Sequence, residues 1–181
     1  MKNKSIILGI SGGIATYKVC DLARKLVKMD FTVHTVMTEN AAQFVTPLTF
    51  KTLTGNPVFL RSFEETSRYS MPHISLSQIG RLMVLAPATA NIIAKIAHGL
   101  ADDLLSTLCL SFPHKIILAP SMNHHMYRNP VFQNNLALLR KYRDKYIIID
   151  AEKGDLACGE EGEGRLADLQ KIIRAVENEI K

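Results

Sequence analysis

The 181-residue sequence is poor in the residues that staple or anchor a chain. It holds three cysteines, Cys20, Cys109 and Cys158, and no CxxC pair. An odd, scattered set excludes a disulfide framework and a thiolate metal centre. Tryptophan is absent and aromatic residues make up only 7%. With no dense Lys/Arg run and no aromatic RNA-binding signature, nucleic acid is not an expected partner. The longest apolar stretches, at 6–10 and 82–86, reach five residues. A membrane span needs roughly 20, so no membrane association is expected. Met1-Lys2-Asn3-Lys4 runs straight into a strand-like segment, without the apolar stretch and cleavage site of a signal peptide. The expected location is cytoplasmic.

What is present is the composition of an ordinary globular protein, 47% apolar and 22% charged. The length suits one domain over 1–181, large enough to bury its own core. The net charge of +5 is unevenly spread: residues 1–150 carry 17 bases against 9 acids. A basic body of this kind favours an anionic ligand.

Apolar runs of strand length alternate with segments of helical period. Strands are expected at Lys4–Ile10, Phe31–Met37, Arg81–Ala86 (ended by Pro87), Ile116–Ala119 (ended by Pro120) and Tyr146–Ile149. Helices are expected at Ile14–Met29, from Thr38 as N-cap to Phe44, from Thr46-Pro47, at Asn91–His98, Asp102–Ser111 and Val131–Tyr142, and after an Asp168 cap. Residues 55–72 read mostly as loop, His73–Leu76 as a short extended piece, and 150–165 as a segment rich in Gly and Glu. Continuous apolar strands separated by helices predict a parallel sheet covered on both faces, a three-layer α/β sandwich. Such sheets bind ligands at the carboxyl ends of their strands.

Gly9-Ile10-Ser11-Gly12-Gly13 joins the first strand to the first helix. Glycines let the backbone approach a ligand, and the helix N-terminus offers N–H groups to an anion. Ser11 and Thr16 are candidate hydroxyl donors. The turn fits neither GxGxxG nor the P-loop, so it suits a mononucleotide phosphate or is simply a tight turn. It also matches the GxSxG nucleophile elbow, but no earlier strand is present to supply an oxyanion loop, which argues against a serine hydrolase.

Four further segments fall at expected strand ends: Pro72-His73-Ile74, Ala86-Pro87-Ala88-Thr89-Ala90-Asn91, Pro120-Ser121-Met122-Asn123-His124-His125-Met126-Tyr127, and Ala157-Cys158 through Arg165. In this order, from Ile7 to Asp168, they resemble the flavin-containing cysteine decarboxylase family, which includes phosphopantothenoylcysteine and peptidyl-cysteine decarboxylases. The Pro-x-Met-Asn-x-x-Met-aromatic motif at 120–127 carries most of the resemblance.

The resemblance implies a flavodoxin-like or Rossmann-like fold, assembled as trimers or dodecamers, with flavin mononucleotide (FMN) at a subunit contact. It places the FMN phosphate on Ser11, Gly12 and Gly13 and on Thr38. Thr89, Ala90, Asn91 and Ser121 would line the cofactor. His73 would be the active-site histidine, Asn123 the anchor for the substrate carboxylate, and Cys158 the proton donor on a mobile flap. Met126 would contact the substrate; Arg165 is a candidate phosphate or carboxylate contact or, equally, an exposed solvated Arg. The family's chemistry implies that FMN oxidises the substrate cysteine to a thioaldehyde, which accepts the electrons freed as CO₂ leaves and gives an enethiol. Reducing the enethiol to a thiol needs hydride back and a proton. Cys158 suits that last step, because a thiol with pKa near 8.5 is a competent acid. The peptidyl-cysteine branch stops at the enethiol and typically lacks this cysteine. The resemblance therefore points to decarboxylation of phosphopantothenoylcysteine to 4′-phosphopantetheine in coenzyme A biosynthesis, with a separate ligase making the substrate. A peptidyl-cysteine decarboxylase, a flavin prenyltransferase and a non-catalytic flavin-binding subunit are the alternatives.

Tyr127 stands where many relatives have Trp, and Ile92 where many have Thr. Adjacent His124 and His125 do not make a metal site, since neighbours on a helix diverge and no third ligand follows at a regular spacing. Cys20 and Cys109 read as small core residues. Asp102 and Asp103 read as helix caps rather than a catalytic carboxylate pair.

Overall fold

The computed structural model describes residues 4–63, 71–155, 159 and 161–180. Five strands grow from the apolar runs: β1 (Ser5–Ile10), β2 (Thr32–Met37), β4 (Leu82–Ala88), β5 (Ile116–Pro120) and β6 (Tyr146–Ile148). A two-residue strand, β3 (Val58–Phe59), completes a six-stranded sheet in the order β3-β2-β1-β4-β5-β6. Every pairing in it is parallel. That order reverses between β1 and β4, and the reversal opens a crevice at the carboxyl ends of those two strands. The expected α/β sandwich is present, with the Rossmann strand order.

Each central strand feeds both faces. Ile6, Leu8 and Ile10 of β1 pack into one core, with Val19, Leu22 and Leu26 of α1 (Thr16–Lys28) and Ile172 and Val176 of α9 (Leu169–Glu179). Ile7 turns to the opposite core, with Ile92 and Ile93 of α5 (Ala90–His98), Leu105 and Leu108 of α6 (Leu104–Ser111) and Leu136 of α8 (Pro130–Lys141). β1 has no exposed residue, as a strand covered by helices on both sides requires.

Helix starts follow the expected caps. Thr38 Oγ1 accepts from Ala41 N at 3.2 Å to start α2 (Glu39–Phe44), and Asp168 Oδ1 accepts from Gln170 N at 2.7 Å to start α9. α3 (Pro47–Thr54) begins on Pro47. Asp103 caps α6 through a reciprocal pair with Ser106, so that helix begins at Leu104 rather than Asp102.

Two expectations need correction, and two further elements had not been expected. His73–Leu76 is not extended but part of α4 (Pro72–Ile79), which begins on Pro72 and buries Pro72 and Leu76, one turn apart. β4 runs through Pro87 and β5 ends on Pro120, because a proline at a strand's end sacrifices little of the ladder. Asn123 caps a short helix, α7 (His124–Arg128), inside the motif. The 150–165 segment is a ribbon of its own: β7 (Glu152–Asp155) pairs antiparallel with β8 (Glu161–Arg165), separate from the main sheet.

Candidate active site

A large cavity of about 1080 Å³ occupies the crevice at the sheet's reversal point. Small-molecule sites run to roughly 1,000 Å³, so it has room for a cofactor and a substrate together. The turn after β1, the starts of α2, α5 and α6, the Ser121–Asn123 segment and the end of β8 all contribute to its wall.

Ser11 braces the cavity floor. Its hydroxyl donates to Pro87 O at 2.7 Å and accepts from Thr89 N at 2.9 Å, tying the end of β1 to the end of β4. Thr16 Oγ1 donates to Gly13 O at 2.7 Å. Both hydroxyl protons are therefore spent on backbone carbonyls, Ser11's on β4 and Thr16's within the turn, and neither is presented to a ligand. What the turn does present is backbone: among the described residues, no acceptor takes the N–H groups of Gly12, Gly13, Ile14 and Ala15. Those four groups sit at the start of α1, where an anion is favoured by both hydrogen bonding and the helix dipole. Gly12 has to be glycine, because an added Cβ would lie 2.4 Å from Asn40 Cβ and 2.9 Å from the Asn40 carbonyl carbon. Thr89 occupies the N-cap position of α5, but its side chain caps nothing.

At the opposite wall, Asn123 Oδ1 accepts from His125 N at 2.8 Å. This bond turns the oxygen toward α7 and fixes the orientation of the amide. The β8 strand is seated on the same segment. Met122 N donates to Gly164 O at 2.9 Å, Gly162 lies flush on the His124 ring, and Arg128 pairs with Glu163 at 3.2 Å. Gly164 has φ +131°, and an added Cβ would stand 2.3 Å from Met122 O. The stem of the expected flap is thus pinned beside Asn123.

Lys95 lies one turn beyond Asn91 on α5 and lines the cavity. Its ammonium sits 2.7 Å from Asp102 and 2.6 Å from Asp103. Burial pulls Lys95 down, but the two carboxylates outweigh it and hold the ammonium above its ordinary value. The hydrogen bond from Lys95 holds Asp102 below the ordinary carboxylate range. The sequence showed the Asp103 cap here but not the ion pair, which joins α5 to the residues just before α6.

The model of the Flavoprotein family matches residues 1–181. The chain belongs to the Flavoprotein family. This flavoprotein is 41% identical over 179 residues to a probable phosphopantothenoylcysteine decarboxylase of Streptococcus mutans, covering 98% of this chain and 99% of that one. It is also 41% identical over 177 residues to the Coenzyme A biosynthesis bifunctional protein CoaBC of Bacillus subtilis, covering 98% of this chain but only 43% of the relative. Among solved structures, a PPC decarboxylase mutant complexed with pantothenoylaminoethenethiol superposes with a TM-score of 0.86 at 27% identity, over 98% of each chain. The FMN binding protein AtHal3 superposes at 0.82 and 28% identity, over 98% of this chain and 96% of that one.

The flavoprotein's cavity brings together most of the residues singled out in its sequence. Ser11, Gly12, Gly13, Thr38, Thr89, Ala90, Asn91, Ser121, Asn123, Met126 and Arg165 all line it. His73 does not. It sits near the start of α4, its Nδ1 buried with no hydrogen-bond partner among the described residues, flanked by exposed Met71 and Ile74. Cys158 lies outside the described residues. Among those residues, no group of three His, Cys, Asp or Glu side chains gathers as a metal site, and no helix is long and apolar enough to cross a membrane. Lys95 and the Tyr17–Lys18 pair also line the cavity, and sequence reasoning had not selected them.

Proposed function

We propose that this flavoprotein uses FMN to decarboxylate 4′-phosphopantothenoylcysteine to 4′-phosphopantetheine and CO₂, as a step of coenzyme A biosynthesis. The observation that carries this reading is the large cavity in which an anion-ready turn faces the Asn123 segment. The end-to-end similarity to a probable phosphopantothenoylcysteine decarboxylase supports it.

The residues fit FMN. The unspent N–H groups from Gly12 to Ala15 suit a phosphate, with the Thr38 hydroxyl beside them. Thr89, Ala90, Asn91 and Ser121 supply a mixed polar wall for the ring system. When bound, FMN supplies a hydride acceptor for the cysteine Cα–Cβ–S unit and returns the hydride at the end. The chain's own residues do the rest. Asn123 anchors the substrate carboxylate as a neutral amide, without the full positive charge that would oppose loss of CO₂. Its bond to His125 N holds that amide in place before substrate arrives. Met126 packs against the substrate at the cavity rim. Cys158 delivers the proton that completes reduction to the saturated thiol. His73 serves as the site's proton-handling histidine.

Because His73 stands off its own chain's cavity and its Nδ1 has no partner among the described residues, the reading has His73 serving the site of a neighbouring copy in a homotrimer or a larger assembly of trimers, with FMN at the contact. The substrate joins a phosphopantothenate unit to cysteine, so a ligase reaction must precede this one.

The test follows carboxyl-labelled phosphopantothenoylcysteine. The yellow protein releases labelled CO₂, and Asn123→Ala retains FMN but releases it at least a hundredfold more slowly. Mixing inactive His73→Ala with inactive Asn123→Ala regains activity if His73 works across a contact. No CO₂ from the FMN-loaded wild type would overturn the reading.

A further inference from the structure

A smaller recess of about 210 Å³ adjoins the main cavity. The two share one wall, made of Tyr17, Lys18, Arg165 and Leu166. Two cations therefore stand where the cavities meet, Lys18 on the first turn of α1 and Arg165 at the end of β8.

The local charge pattern leaves these two cations without an ion pair among the described residues, Lys18 Nζ lying 5.8 Å over the Tyr17 ring. On the ribbon and its neighbours, Glu152 pairs with Lys171 at 2.9 Å, Glu161 with Lys153 at 3.3 Å, and Glu163 with Arg128 at 3.2 Å. Neither Lys18 nor Arg165 forms an ion pair with any described residue. Two acids line the recess beside these cations: Asp168 turns its Oδ1 to Gln170 N, and Asp21 stands three residues along α1 from Lys18, close to one turn, with no ion pair among the described residues. Glu152 faces Arg165 across the ribbon but is held by Lys171. Arg165 is also positioned, since its side chain lies across Gly154, where an added Cβ would come 3.0 Å from Nη1 and 3.3 Å from Cδ.

We propose that Lys18 and Arg165 form the subsite for the phosphate on the substrate's pantothenoyl arm, and so set the preference for a phosphorylated substrate. This rests on the decarboxylase reading above. A phosphate monoester carries close to two negative charges at neutral pH, and a fork-shaped guanidinium beside an ammonium matches it. The same chemistry would suit the FMN phosphate. The free N–H groups of Gly12 to Ala15 already provide for that group, so the proposal commits to the substrate.

The test compares FMN-loaded wild type with Lys18→Gln, Arg165→Gln and Gly154→Ala. Two quantities are measured: kcat/KM on phosphopantothenoylcysteine relative to its dephospho form, and calorimetric binding of 4′-phosphopantetheine relative to pantetheine. Wild type favours the phosphorylated ligand in both. Each glutamine variant cuts that preference about tenfold, the size of one charge-assisted hydrogen bond, mainly through KM. Gly154→Ala keeps every charge but displaces the guanidinium, and cuts the preference by a smaller factor. Wild-type preference retained in both glutamine variants overturns the proposal, as does loss of FMN affinity with preference intact. Should wild type release no CO₂ from either compound, the decarboxylase reading fails, and the calorimetric comparison still decides the subsite.

Discussion

Replacing Gly164 by alanine puts a methyl group where the Met122 carbonyl already stands, 2.3 Å away, on a residue whose φ is +131°. Backbone strain of this kind costs about 1–3 kcal/mol. The hydrogen bond from Met122 N to Gly164 O, now 2.9 Å, is worth about 0.5–1.5 kcal/mol more. The total is about 2–4 kcal/mol. It falls on a two-stranded ribbon that shares no ladder with the six-stranded sheet, so the ribbon lifts from the Asn123 segment before the domain unfolds. The assay is amide hydrogen exchange. In the variant the Met122 amide exchanges roughly 30-fold faster or more, because about 1.4 kcal/mol of opening free energy is a factor of ten. The Tm falls by less than about 4 °C, the shift expected for roughly 1 kcal/mol of global destabilisation in a chain this size. A drop of about 10 °C with no selective change at Met122 would refute the reasoning, since the cost would then be global.

Ser11→Ala leaves the half-buried Thr89 N–H without its acceptor and removes the brace to Pro87; the expected loss is about 1–3 kcal/mol of stability with weaker FMN binding, and an unchanged Tm contradicts the brace. His34 is buried, its Nδ1 has no partner, and burial holds its imidazole below the ordinary value. Its contribution to stability is therefore fully present above about pH 6.5, the unfolded value, and is lost as pH falls below that toward the folded value; His34→Phe flattens the fall in Tm between about pH 7 and 5, and an identical slope sinks the assignment. Burial pushes the Cys109 thiol up to about 12, and burial followed by Asp21 raises Cys20. A thiol reagent at mildly alkaline pH therefore leaves Cys109 unmodified until the protein is denatured; equal rates in native and denatured protein would contradict its burial.

The sheet was legible because its strands are continuous apolar runs: Ile6–Leu8 and Leu82–Leu85 bury every side chain and read as strands without their partners. The caps were legible too, since Thr38, Asp103 and Asp168 act within three residues of themselves. What failed to show was decided at a distance. β3 is two residues long and exists only through its pairing with Thr35 and Val36. The 152–165 ribbon has no apolar alternation, and its seat is the contact of Gly162 and Gly164 with Met122 and His124, some forty residues earlier. α4 was mistaken for an extended piece because its apolar contacts, Pro72 and Leu76, are only two. At the site, the residue types of the cavity wall were readable from the motifs. The spending of the Ser11 proton on Pro87 O, and the capture of Lys95 by Asp102 and Asp103, needed three-dimensional neighbours.

The most direct test of the central claim is the mass of the product formed from phosphopantothenoylcysteine by the FMN-loaded protein and by Cys158→Ser. The account predicts CO₂ and saturated 4′-phosphopantetheine from the wild type, and a product two hydrogens lighter from the variant. A wild type that itself stops at the lighter product would contradict the assigned reaction and the role of Cys158, and would favour a peptidyl-cysteine type of chemistry.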